Sequence, residues 1–440
     1  MQVSSKPAFR EAFLFWLKLG FISFGGPAGQ IAIMYAFLVE QKKWISASRF
    51  RHALNYCTLL PGPEAQQLSV YAGWLLHGVW GGILAGVLFV LPSVFIMLAL
   101  SLLYVSLGGI PWFQALFDGL KPAVLAIVLL AVYRLGKRSL SSALLVLIAL
   151  AGFAAIYFLN ISFPLLIFGT IILGVMIRKY VPSWLVQNVE GGAAGTEDGY
   201  YINSLKPVVS YKISPGLLLR QVVFFGILWL LPFVIMRFTL SDYTFWESFS
   251  LFFTKAALVT FGGAYAVLPY VAQMSVEKLH WLSGPQMLDG LALGETTPGP
   301  LIMVLAYVGF LGAYTHFGAS ASHGMLGLFI TVYYTFMPCF FLVLTGAPIA
   351  ESSRESSRLQ AILPLIGAVV TGMLFSLAAY LGKAVLYQPG AYLSINIFDT
   401  FWVLISLFAF LKYKMNIVVW IAVSALAGLL RFYLALNHFH

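Results

Sequence analysis

Apolar runs of about 20 residues, the length that crosses a bilayer, follow one another along most of the chain. They occupy 81–104, 111–133, 140–159, 163–177, 215–236, 325–348, 361–381, 395–411 and 417–436, and each predicts a transmembrane helix. Short polar stretches separate them. The two segments ahead of these, 8–39 and 47–77, are also apolar, but each is interrupted near its middle by a cluster of helix breakers. The first break is Phe24-Gly25-Gly26-Pro27 and the second is Pro61-Gly62-Pro63.

Both breaks recur 237 positions later, as Phe261-Gly262-Gly263 and Pro298-Gly299-Pro300. The same offset carries Lys18 onto Lys255, Glu40 onto Glu277, Trp44 onto Trp281 and Ser46 onto Ser283. Register held across a lysine, a glutamate, a tryptophan and two Gly/Pro clusters marks a duplication. Repeats with discontinuous helices in a very apolar chain point to a transporter. The expected division is a first repeat over 1–177, a linker over 178–214, an extra transmembrane helix over 215–237, and a second repeat over 238–440.

Composition supports an all-α polytopic membrane protein. Hydrophobic residues make up 61% and charged residues 9%, against about 25% charged in ordinary globular chains, and the mean hydropathy is +0.92. The opening is polar and the first apolar segment contains Lys18, so no cleavable signal peptide is expected. Cys57 and Cys339 both lie in apolar segments and suggest neither a disulfide framework nor a metal site. The net charge of +10 sits in short loops, which argues for a topological role and against nucleic acid.

Basic clusters at Lys42/Lys43/Arg49/Arg51, Arg134/Lys137/Arg138, Arg178/Lys179, Lys206/Lys212 and Lys412/Lys414 belong in the cytoplasm by the positive-inside rule. Counting crossings then requires 8–39 and 47–77 to return to the side they came from, as hairpins broken at the Gly/Pro clusters. Two ordinary crossings would keep the later parity but place Lys42, Lys43, Arg49 and Arg51 outside. The single unmatched crossing at 215–236 reverses everything after it, which puts Arg354/Arg358 inside. The halves are therefore expected to be inverted repeats.

The chemistry is expected at the breaks, because irregular backbone survives in a membrane only when buried in protein or lining a polar cavity. Pro27, Pro63 and Pro300 suit the opening of a new half-helix. Such an opening offers free N–H groups and partial positive charge to an oxyanion. Gly25, Gly26, Gly262 and Gly263, with Gly62 and Gly299 in the second breaks, would let backbone approach a ligand closely. The bland alternative for the glycine pairs is tight helix packing. Lys18 and Lys255 lie six residues before each Phe-Gly-Gly element, and a lysine in the apolar zone is a functional candidate, or else it snorkels or pairs with Glu11 or Glu247. Glu64 and Glu295 flank the Pro-Gly-Pro turns as proton-coupling carboxylates, or as salt-bridge partners for those lysines. Gln30, Gln66, Gln67, Thr296 and Thr297 add uncharged donors.

These residues carry a resemblance. Phe24-Gly25-Gly26-Pro27 with Gln30, Trp44-Ile45-Ser46, Pro61-Gly62-Pro63 with Gln67, Phe261-Gly262-Gly263, Trp281-Leu282-Ser283 and Thr297-Pro298-Gly299-Pro300 resemble the chromate ion transporter family, in its long two-domain form. The resemblance covers nearly the whole chain. It implies efflux of chromate across a bacterial inner membrane, drawing on the proton gradient and conferring chromate resistance, with sulfate as the obvious isostere. No cofactor is implied; the partners are chromate and the bilayer, and a homodimer is left open. Ala264 stands at the position of Pro27 and Val267 at that of Gln30, which favours the first half as the richer binding surface. Two rival classes are an integral membrane enzyme, for which no nucleophile–base set or metal cluster is visible, and a passive anion channel, which uphill flux would exclude.

Overall fold

The computed structural model describes residues 6–24, 26–159, 161, 163–180, 199–203, 215–261, 263–352, 363–387 and 395–437. Gly25, Gly262, Arg354, Arg358, the carboxyl-terminal residue and most of the 178–214 linker lie outside them. The described chain is a multi-pass helical membrane protein. Its first half comprises α1 (Phe9–Ile22), α2 (Gly26–Tyr35), α3 (Ala47–Leu59), α4 (Glu64–Leu107), α5 (Pro111–Ser139), α6 (Ala143–Tyr157) and α7 (Phe163–Tyr180). After α8 (Pro215–Thr239), the second half comprises α9 (Tyr243–Val259), α10 (Leu268–Ala272), α11 (Gly284–Thr296), α12 (Val304–His316), α13 (Ala321–Ser352), α14 (Leu363–Leu386), α15 (Ile397–Lys412) and α16 (Ile417–Asn437).

The 237-residue offset is visible in the backbone. A π-helical turn at Ala36–Gln41 recurs at Gln273–Lys278, and α3 and α11 start and stop at equivalent residues. Each of these helices opens on a serine, Ser46 or Ser283, whose side chain accepts from the amide three residues on, which satisfies an orphan donor of the first turn. Each ends at a Pro-Gly-Pro turn, because the residue before proline is driven out of the helical region. Left-handed backbone recurs at Gly26 and Gly263, at Lys43 and His280, and at Gly62 and Gly299.

The halves differ where their sequences do. Pro27 sits in the first turn of a continuous α2. Ala264 instead begins a 3-10 turn at Ala264–Ala266, and the α-helix restarts at Leu268 with Pro269 in its first turn.

Within α4, His77 and Gly78 leave helical geometry. A half-helix over 64–76 therefore folds back on a long helix over 79–107. The two approach backbone to backbone, since a Cβ on Gly73 would strike the carbonyl of Gly81 and the reverse. Gly309 on α12 and Gly327 on α13 make the equivalent close approach.

The long helices of the two halves meet antiparallel. Gly82 packs on Leu344 and Gly86 on Phe340, so α13 runs backwards as α4 advances. Gly136 faces Thr371 while Ser139 faces Gly367, so α5 and α14 are antiparallel too. Among the described residues, six helices are long and apolar enough to cross a membrane: those within Glu64–Leu107, Pro111–Ser139, Leu218–Thr239, Ala321–Glu351, Pro364–Leu386 and Ile417–Asn437. The runs expected at 140–159, 163–177 and 395–411 also form helices, but α6 and α15 are shorter, with 15 and 16 residues. Most of α8 is exposed apolar surface, with Leu219, Phe224, Ile227 and Phe238 facing outward.

Candidate functional site

The unwound segments cross over between halves. The amide of Gly299 donates to the carbonyl of Ser23 at 2.8 Å, and the amide of Gly62 donates to the carbonyl of Thr260 at 2.6 Å. Ser23 and Thr260 are themselves equivalent positions, so each Pro-Gly-Pro turn hangs on the residue that caps the end of the first helix of the other half. Gln30 reinforces one crossing: its Nε2 donates to the carbonyls of Gly299 at 2.6 Å and of Ser23 at 3.3 Å. Gln67 closes its own turn by donating to the Pro61 carbonyl at 2.7 Å. Pro63 and Pro300 precede the helical turns that begin at Glu64 and Leu301.

Beside this crossing lies a cavity of about 250 Å³, room for a small oxyanion and several waters at about 30 Å³ each. Gly26, Pro27 and Ala28 line it from the first half, and Gly263 and Tyr265 from the second. Glu64 projects into it next to Gly263. The first turn of α2 presents its free N–H groups here, since the opening amides of a helix have no intrahelical acceptor. Opposite stand Arg134 and Arg138, one turn apart on α5. Helix α5 runs through both, to Ser139, so they are helical and not part of the connecting loop expected after Tyr133. Ile127, Leu130 and Leu374 close the apolar wall.

The two candidate carboxylates are both buried. Glu64 faces the cavity, and Glu295, on α11, accepts from the Tyr265 hydroxyl at 2.8 Å. The Arg134 charge acts on Glu295, and that of Arg138 on Glu64. Thr297 turns its hydroxyl back to the Leu293 carbonyl at 2.6 Å, within its own helix. Gly62 and Gly299 are enclosed by protein: a Cβ would collide with Cys339 and Gln67 at the first and with Ser93 at the second. Gly26 instead looks onto open space.

Lys18 and Lys255 are not brought to this cavity. Both are exposed on the outer faces of α1 and α9. Lys18 borders a separate groove with Glu11 and Lys42, where Glu11 pairs with Lys42 at 2.7 Å. Three residues that sequence reasoning did not assign to the site, Arg134, Arg138 and Tyr265, line the cavity. The available signal was the spacing of two arginines one helical turn apart at the end of an apolar run.

Comparison with known proteins agrees with this architecture. The chromate transporter family profile matches residues 10–175 and 246–429. A chromate transport protein of Pseudomonas aeruginosa is 30% identical over 430 residues, 97% of this chain and 93% of its own length. The chromate transport protein of Cupriavidus metallidurans is 28% identical over 363 residues, 82% of this chain and 78% of its own. An uncharacterized transporter of Bacillus subtilis is 25% identical over 132 residues, which is 30% of this chain but 67% of its own. No solved structure gives a significant match.

Proposed function

Because the chain belongs to the chromate transporter family, we propose that it exports chromate across the cytoplasmic membrane by secondary active transport driven by the proton gradient, and so protects the cell from chromate. The observation that carries this reading is the cavity in which Gly26, Pro27 and Ala28 of one half and Gly263 of the other face Arg134 and Arg138. Helix-opening amides and guanidinium groups are matched to a tetrahedral dianion, which offers oxygens and little apolar surface. Residues 1–177 and 238–440 act as inverted repeats, joined by a cytoplasmic linker over 178–214 and the extra crossing over 215–237. The antiparallel meeting of α4 with α13 and of α5 with α14 supports that inversion. Pro61 with Gly62 and Pro63, and Thr297 with Pro298, Gly299 and Pro300, hold the unwound backbone in place. Glu64 and Glu295 are the candidate proton carriers beside the anion.

A sulfate transporter is the second reading, since sulfate is a tetrahedral dianion isosteric with chromate. Uptake of radiolabelled chromate by everted vesicles, with sulfate and molybdate competitors and an uncoupler, tests both. Uncoupler-sensitive accumulation that excess sulfate leaves intact is the expected outcome. Accumulation abolished by sulfate favours the second reading, and purely downhill flux indicates a passive channel.

A further inference from the structure

A second polar cavity lies at the other end of α5. Its volume is about 440 Å³, and Asp118, Lys121, Asn396, Asp399 and Arg431 line it. Lys121 and Arg138 are 17 positions apart on one helix, or about 25 Å at 1.5 Å per residue. The two cavities therefore open toward opposite ends of the membrane-spanning bundle. Inside the protein from the second cavity, Asp289 of α11 is buried. Its Oδ2 accepts from the Tyr104 hydroxyl at 2.8 Å, whereas Oδ1 has no hydrogen-bond partner among the described residues. A buried carboxyl inside a membrane bundle is expensive unless it works.

We propose that Asp289 binds and releases the coupling proton at the end of the molecule opposite the arginine-lined cavity. The proposal rests on the proton-driven reading given above. Tyr104 faces Asp289 from α4, Asp118 and Lys121 from α5, and Tyr307 from α12. Lys121 is held to Asp118 at 2.6 Å, lines the second cavity and bears electrostatically on Asp289. Protonation forms one O–H bond at the free Oδ1, with the proton drawn from water in that cavity, and it leaves the Tyr104 contact on Oδ2 intact. Six residues along, about 9 Å deeper, Glu295 is bound to Tyr265, which lines the arginine cavity. The first half has no such pair: the equivalent positions are His52, whose ring is bonded to the Ala350 carbonyl at 3.2 Å, and Thr58, bonded to Asn55. The Asp289 and Glu295 pair is thus confined to the second half.

The test uses the full-length protein in everted vesicles. Chromate–chromate exchange without a gradient is compared with accumulation driven by an acid interior. Asp289→Asn is expected to hold exchange within about twofold of wild type while driven accumulation falls by roughly tenfold or more. Asp289→Glu should restore part of the drive with a displaced pH midpoint, which a purely structural role would not produce. Full driven accumulation in Asp289→Asn overturns the proposal, as does loss of exchange together with drive in both variants. If Asp289→Asn does not insert, Tyr104→Phe reads the same site: its driven uptake should shift its pH midpoint, and an unshifted profile refutes the assignment. Wild-type exchange that no pH gradient can drive would instead refute proton coupling itself.

Discussion

The amide of Gly299 and the carbonyl of Ser23 form a 2.8 Å hydrogen bond between the halves, and the Gln30 side chain caps the same turn through the Gly299 carbonyl at 2.6 Å. Its counterpart joins Gly62 to Thr260. The irregular backbone at the centre of the protein is thus satisfied by exchange, which is what allows it to exist away from water.

The enclosed pair of turn glycines is expected to be structural. Gly62→Ala and Gly299→Ala add a methyl where Cys339, Gln67 and Ser93 already sit, and both positions are left-handed. Each should cost about 1–3 kcal/mol from overpacking, read as a lower melting temperature in detergent. Ser93→Gly should recover part of the Gly299→Ala loss. A Gly299→Ala protein as stable as wild type would contradict the packing described.

The open pair should behave differently. A methyl at Gly26 meets nothing nearby, so Gly26→Ala carries only the left-handed backbone cost of about 1–2 kcal/mol. Gly26→Ala and Gly263→Ala are expected to insert and to lose chromate affinity. Two charge-assisted bonds at about 1.5–3 kcal/mol each correspond to roughly two to four powers of ten. Chromate-induced thermal stabilisation would measure this, and undiminished stabilisation in both variants would remove the backbone cradle.

Charge neutralisation separates the arginines from the lysines. Arg134→Gln and Arg138→Gln should each raise the chromate KM by roughly tenfold, about one charge-assisted bond. Lys18→Ala and Lys255→Ala, on outward faces, should leave KM close to wild type. The opposite pattern would move the anion site to α1 and α9.

Reporter fusions test the orientation. Fusions at residues 190 and 440 are expected on opposite faces, cytoplasmic and external respectively, because α8 adds one crossing between otherwise matched halves. A shared face would be incompatible with inverted repeats.

The breaks were legible because glycine and proline state their backbone needs locally: the residues flanking Gly26, Gly62, Gly263 and Gly299 read as helix ends, and they are. Orientation around a helix was not legible. On α1 the buried face of Phe15, Trp16 and Leu19 and the exposed face of Leu14, Phe21 and Ile22 are equally apolar, since lipid and protein interior select the same residues. Amphipathic periodicity therefore could not say which way Lys18 points. Arg134 and Arg138 were hidden for the converse reason: basic residues ending an apolar run look like a membrane boundary, and only the fold of α5 shows that they border a cavity.

The exchanged hydrogen bonds also impose an order in time on the making of the protein. When Gly62 enters the membrane, its acceptor Thr260 has not been synthesised; at about 5–20 residues per second the intervening stretch takes roughly 10–40 seconds. Ser23 waits longer still for Gly299. Through that interval the first half holds unwound backbone in the bilayer with its final partner missing, a state costly enough to need water or another protein beside it. Biogenesis is then most exposed at the halfway point, and a ribosome stalled within the linker would leave a nascent chain whose centre has yet to close.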